Sequence, residues 1–191
     1  MAAAFLGLLG VLATLVGLAT PSGAATATIV ARGGAWATAW DSESTTTLRV
    51  QAPTTAQAGD VLVATLGVGR TRAANQPVLT PPGGWTLVSR TNQDKVGTLA
   101  VYTHVFAAGE TGYTFTSSFA VGGVGFVAAF GGVDGARPID VYGGRTQGKG
   151  TTVSTPSVTT GAANEMLVTN FFAYRGGATS SAWTPPSGMT K

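Results

Sequence analysis

The stretch "DVLVATLGV", Asp60–Val68, opens after the turn residue Gly59 and carries apolar side chains at odd and even positions alike. Successive side chains of a strand point to opposite faces, so a strand apolar on both faces belongs in the middle of a sheet with something packed on each side. Its neighbours alternate instead. In "TTTLRVQ", Leu48 and Val50 fall on one face with Thr46, and Thr47, Arg49 and Gln51 fall on the other. "GTLAVYTHVF" sets Leu99, Val101 and Val105 against Thr98, Tyr102, His104 and Phe106, and "GYTFTSS" sets Tyr113 and Phe115 against Thr114 and Thr116. Period two is the mark of half-buried strands. "VGGVGFVAAFGGV", from Val121, is apolar with interior glycines, which points to close approach of another backbone or to a bulge.

Composition agrees. Only 10% of residues are charged, against about 25% in an average soluble domain, so the polar surface is made of Thr, Ser, Gly, Asn and Gln. Long amphipathic helices need Glu and Lys on their wet face, and no stretch beyond the N-terminus has a 3.6-residue period. Thr favours strands, and 28 Gly and 9 Pro mark turns; the fold expected is all-β. The net charge of +3 is not clustered, which argues against nucleic acid as a partner. With no cysteine and one histidine, disulfides, thiolate chemistry and imidazole metal clusters are excluded.

The Asp60 stretch has a second copy. "EMLVTNFFAY", Glu165–Tyr174, resembles it in length and apolarity, and "TPPGGWT" (Thr80–Thr86) recurs as "TPPSGMT" (Thr184–Thr190). With Leu62 set on Leu167 and Pro81 on Pro185, one deletion aligns the copies; Asp60 then matches Glu165, and Thr54 and Thr55 match Thr159 and Thr160. A repeat this long indicates duplicated half-domains rather than a solenoid. The first copy runs on through further strands, whereas the second has one residue after Thr190. The reading therefore expects a chain that ends inside its fold, with "MLVTNFFAY" lacking strand partners. At the N-terminus, "FLGLLGVLATLVGLA" (Phe5–Ala19) is shorter than the roughly 20 residues of a spanning helix. It fits the helical core of a signal peptide, with cleavage after Ala24 or Ala27. Residues 1–27 are read as the signal and residues 28–191 as the domain, with no membrane contact once the signal is removed.

Several stretches together resemble a known family: "AGDVLVATLGV", "TPPGGWTLVSRTN", "LAVYTHVFAAGETGYTFT", "GGVDGARPID", "TPSVTTGAANEMLV" and "WTPPSGMTK". In that order they look like the Thr- and Gly-rich β-sandwich domain of secreted actinobacterial proteins and of minor tail proteins of their phages. The resemblance covers roughly Thr28 to Lys191. It implies an antiparallel, jelly-roll-like β-sandwich with pseudo-duplicated halves, similar in architecture to carbohydrate-binding modules and without agreed catalytic residues. It also implies further strands after the second Pro-Pro turn.

Candidate chemistry is sparse. His104 lacks a Gly-x-Ser-x-Gly nucleophile, so a hydrolytic triad is not supported. Asp60 and Glu165, each at a strand entrance, suit a repeated role capping backbone N–H groups. Asp134 in "GVDG" and Asp140 in "PID" flank a Gly- and Pro-containing loop, which suits turn capping or a Ca²⁺ site. Trp85 and Trp183 match Met189 and Leu79 in the other copy, which marks them as packing residues. Trp36 and Trp40 in "AWATAWD" have two readings. They cover a sheet edge, or, in an extended chain with about 3.3 Å per residue, they share a face about 13 Å apart and stack on alternate sugar rings.

The function expected is a non-enzymatic module, secreted or displayed at the cell surface, for attachment or contact with polysaccharide or surface glycan. The alternatives are an accessory domain of a polysaccharide-degrading enzyme with its catalytic part beyond Lys191, and a structural domain of a phage tail.

Overall fold

A computed structural model describes residues 10–19, 28–37, 40–69, 76–93, 97–148, 150–174 and 184–190. Among them every regular element is a strand, and no helix is long and apolar enough to cross a membrane. The strands are β1 (Gly10–Leu18), β2 (Val30–Trp36), β3 (Trp40–Gln51), β4 (Val61–Gly69), β5 (Leu79–Thr80), β6 (Thr86–Gln93), β7 (Gly97–Val105), β8 (Gly112–Gly131), β9 (Ile139–Gln147) and β10 (Met166–Tyr174). All pairing is antiparallel, in a seven-stranded sheet ordered β2-β8-β4-β7-β6, with β3 and β5 also on β8, and a three-stranded sheet ordered β10-β1-β9.

The doubly apolar reading of Asp60–Val68 is borne out: β4 is central and sends side chains into two cores. Leu62, Ala64, Leu66 and Val68 join Leu48 and Val50 of β3, Phe115 of β8, Tyr102 and Trp85 in the larger core. Val61 and Val63 join Val16 and Leu18 of β1, Val101 and Phe130 in the second core, which fastens the two sheets together. At the far end, Phe172 of β10 lies against Gly67, where a Cβ would stand 2.2 Å from its ring.

β8 connects the layers. Its first half pairs with β3, Tyr113 opposite Val50 and Phe115 opposite Leu48, and its second half pairs with β4 and β2. The large sheet thus folds over its own core. The glycine-rich stretch lies where β8 changes partners: the β3 register shifts between Trp40, Thr45 and Thr47, and a Cβ on Gly125 would come within 2.7 Å of the Leu48 side chain. The register shift is the irregularity expected of those glycines, while the close neighbours of Gly125 are side chains and not another backbone.

The N-terminal reading is corrected. Residues 10–18 of the stretch read as a signal helix form strand β1, paired on one side with β10 and on the other with β9. An apolar run with no polar alternation suits a helix or a strand buried on both faces, and neighbours decide. Here two strands offer open edges, and Val16 and Leu18 have no exposed surface. The strand expected to lack partners, β10, is accordingly paired with β1 at all nine positions.

The matched turns share their backbone conformation. Gly59 and its match Asn164 both have positive φ, 89° and 62°, and Asn164 is the non-glycine residue with that conformation among the described residues. Gly84 and its match Gly188, in the two Pro-Pro turns, have φ of 84° and 82°. β1 also stands to β10 as the second half of β8 stands to β4: Leu18 is opposite Met166 as Phe130 is opposite Val61, and each of the two is paired on both sides.

Candidate functional site

Trp36, the last residue of β2, is 68% exposed. Tryptophan is among the most buried residues on average, so such exposure on a strand needs a reason. Its cross-strand partner is Phe126 of β8, and the two rings lie 4.4 Å apart at 41°. Directly opposed aromatic residues on one sheet face support each other's orientation. Gly34, two residues earlier on the same face, makes this possible: a Cβ there would stand 2.2 Å from the Phe126 ring. The result is a pre-oriented aromatic pair, apolar and uncharged, on the sheet surface. Trp40 begins β3 with its backbone opposite Gly123, and its side chain lies outside the described residues, as does Trp183. Phe126 was missed in the sequence because cross-strand register leaves no local signal.

His104 sits in a closed arrangement. Its Nε2 is 2.8 Å from Glu110 Oε1 and its Nδ1 is 2.9 Å from the Gly84 carbonyl oxygen, while its ring stacks on Trp85 at 5.1 Å. The Ala107 N–H and the Tyr113 hydroxyl both donate to Glu110 Oε2. Burial pushes the Glu110 carboxyl up, but those two donors and His104 outweigh it and hold it below the usual carboxylate range. Burial, then the hydrogen bond and charge of Glu110, push the Tyr113 phenol up. Both imidazole nitrogens face acceptors, so neither is open to take a proton from a nucleophile. The cluster fastens the loop before β8 to the turn before β6, and Trp85 packs beneath it as expected, against Tyr113 and Phe115.

The carboxylates divide by their partners. Asp60, 5% exposed, accepts from the Arg32 Nε at 3.0 Å and from the Gln57 N–H at 2.8 Å, the capping role read for it together with an ion pair across 28 residues. Asp134 accepts from the Ala136 N–H at 2.9 Å within its own turn. Asp140 accepts from the Gly161 N–H at 2.7 Å. No group of three or more His, Asp or Glu side chains suited to a metal ion occurs among the described residues. A cleft of about 710 Å³ lies nearby, lined by Ile29, Ala31, Glu165, Met166, Leu167 and Met189 among others. No protein-family model matches the chain, and no curated protein or solved structure matches it either.

Proposed function

We propose that this chain is a non-catalytic β-sandwich module, jelly-roll-like and secreted or surface-displayed, that contacts polysaccharide through Trp36 and Phe126. The observation that carries the reading is the exposed indole of Trp36 packed on Phe126, beside a glycine that makes room for the Phe126 ring. Sugar rings present C–H faces that pack on aromatic faces without charge, and an oriented pair loses little freedom on binding. The closed surroundings of His104 favour binding over hydrolysis. The likeness to Thr- and Gly-rich sandwich domains of secreted and phage-tail proteins supports attachment as the role. Trp40, at the start of β3 opposite Gly123, enters the proposal from the sequence reading alone. Export by the N-terminal stretch and the strand it forms are alternatives for the same residues, since cleavage after Ala24 or Ala27 removes β1.

Retention on insoluble cellulose, chitin and α-glucan tests the site. Trp36→Ala and Phe126→Ala are each expected to weaken retention about tenfold, a loss of about 1.4 kcal/mol, with the circular dichroism of Trp36→Ala unchanged. Failure of the parent protein to bind any of the three, or binding undiminished in both variants, returns the pair to the packing reading.

A further inference from the structure

The single histidine of the chain joins two elements through its two ring nitrogens. His104 Nδ1 lies 2.9 Å from the Gly84 carbonyl oxygen, in the turn before β6, and Nε2 lies 2.8 and 3.1 Å from the two oxygens of Glu110, in the loop before β8. A carbonyl oxygen and a carboxylate accept hydrogen bonds and do not donate them, so each contact needs an N–H on the ring. Neutral imidazole has one N–H and the imidazolium has two. Either neutral tautomer would turn a lone pair towards an oxygen at hydrogen-bond distance. Moving the proton onto Glu110 does not help. Burial pushes the Glu110 carboxyl up, but the Ala107 N–H, His104 and the Tyr113 hydroxyl outweigh it and keep Glu110 an anion. Glu110 and Tyr113 are the titratable groups that face the ring among the described residues, and burial, followed by Glu110, pushes the Tyr113 phenol up, so that hydroxyl keeps its proton and donates. The turn before β6 adds the indole of Trp85, stacked 5.1 Å away, whose face favours a cation, and β4 adds the apolar Leu62, opposite His104 in register.

We propose that His104 is a pH-sensitive latch: as imidazolium it ties the loop before β8 to the turn before β6, and as neutral imidazole it lets the turn go. The ring that has given one proton to water keeps the N–H that faces Glu110, because a carboxylate is a stronger acceptor than a carbonyl. The bond from Nδ1 to Gly84 is the one that opens. The matched turn shows that the backbone does not need the ring: Gly188 repeats the φ of Gly84, 82° against 84°, and a Cβ placed on it meets nothing within 4 Å. The latch therefore controls the tie between turn and loop, and leaves the shape of the turn to its own residues. The sign follows from the charged form being the one that fits. The contribution of His104 is complete while the ring carries both protons and is lost as pH rises and one proton leaves, within the range of about pH 5 to 8 in which histidine changes charge. Glu110 sets the opposite limit, since its carboxyl is held below the usual range and its contribution is lost only as pH falls through that lowered value.

Nitrogen–proton correlation spectra of the full chain, taken from about pH 5.5 to about pH 8.5, read the ring directly because there is one histidine. Two protonated ring nitrogens are expected at the acid end and one, Nε2, at the alkaline end, with the amide signals of Gly84 and Trp85 moving in step and those around Gly188 unmoved. Across the same range Tm is expected to fall by about 3–6 °C, the loss of a hydrogen bond made by a charged group. His104→Gln and Glu110→Gln are each expected to remove that fall, and if one does not fold the other decides. A ring with a single N–H at the acid end, turn amides that do not follow the ring, a level Tm in the parent protein, or a fall that survives in the variants overturns the proposal.

Discussion

The two copies of the turn that opens a central strand share a backbone and differ in what their carboxylates meet. Around Gly59 and Asp60 the turn is closed by a cap and by Arg32 from β2. Around Asn164 and Glu165 the same path is followed with a longer acid, a strained residue in place of glycine, and no cation from the described residues. Backbone geometry is thus kept by local residue types, whereas the side chains that complete it come from elsewhere and diverge freely. The strand level shows the same contrast. β4 is flanked by β7 and β8, close to it in the chain, while β10 takes its partner β1 from the opposite end.

Removing the β1 anchor should produce the largest effect. Leu18 is fully buried and faces Met166 as Phe130 faces Val61. Leu18→Ala is expected to cost about 2–5 kcal/mol, read as a lower urea midpoint, because a cavity opens in the core between the sheets. That is a large share of the roughly 5–15 kcal/mol that holds a domain together. An unchanged midpoint would break the comparison between β1 and β8.

Next in size is the contrast between the two acids. Asp60→Asn removes the charge that Arg32 and the Gln57 N–H engage, and is expected to cost about 1.5–3 kcal/mol. Glu165→Gln removes a buried like-charge neighbour of Asp140 and is expected to leave stability unchanged or raised. Equal losses in urea melts of the two variants would mean that Glu165 has a favourable partner after all.

Local pattern carried much of this architecture. The central position of β4, the alternating faces of the first half of β8, the cap at Asp60 and the packing of Trp85 follow from residue type and spacing over a few positions, whereas β7, whose alternation suggested a half-buried strand, is buried on both faces from Gly97 to Thr103. What it did not carry depends on distant pairs. β1 could be told from a helix only by the edges of β9 and β10, and Trp36 acquires Phe126 through a register set across 90 residues of chain. Arg32 with Asp60, and Asp140 with Glu165, meet because β2, β9 and β10 lie beside those turns, which no alternation of apolar and polar residues encodes.

The smallest effect tests the turn itself. Gly84 and Gly188 have nearly the same positive φ, a conformation that costs an L-residue about 1–2 kcal/mol, so alanine at either site pays that backbone strain. Their surroundings differ. A Cβ on Gly84 would stand 3.1 Å from the His104 ring, whose Nδ1 is held by the Gly84 carbonyl, whereas a Cβ on Gly188 would meet nothing within 4 Å. Gly188→Ala should therefore show the backbone strain alone, about 1 kcal/mol, and Gly84→Ala the same strain plus displacement of the imidazole from Glu110. Urea midpoints measure the difference, and the NMR shift of the single histidine in Gly84→Ala reports whether its ring has moved. Equal losses with an unmoved ring would show that the first Pro-Pro turn tolerates what the second does, and that the His104 cluster rests on the turn without being set by it.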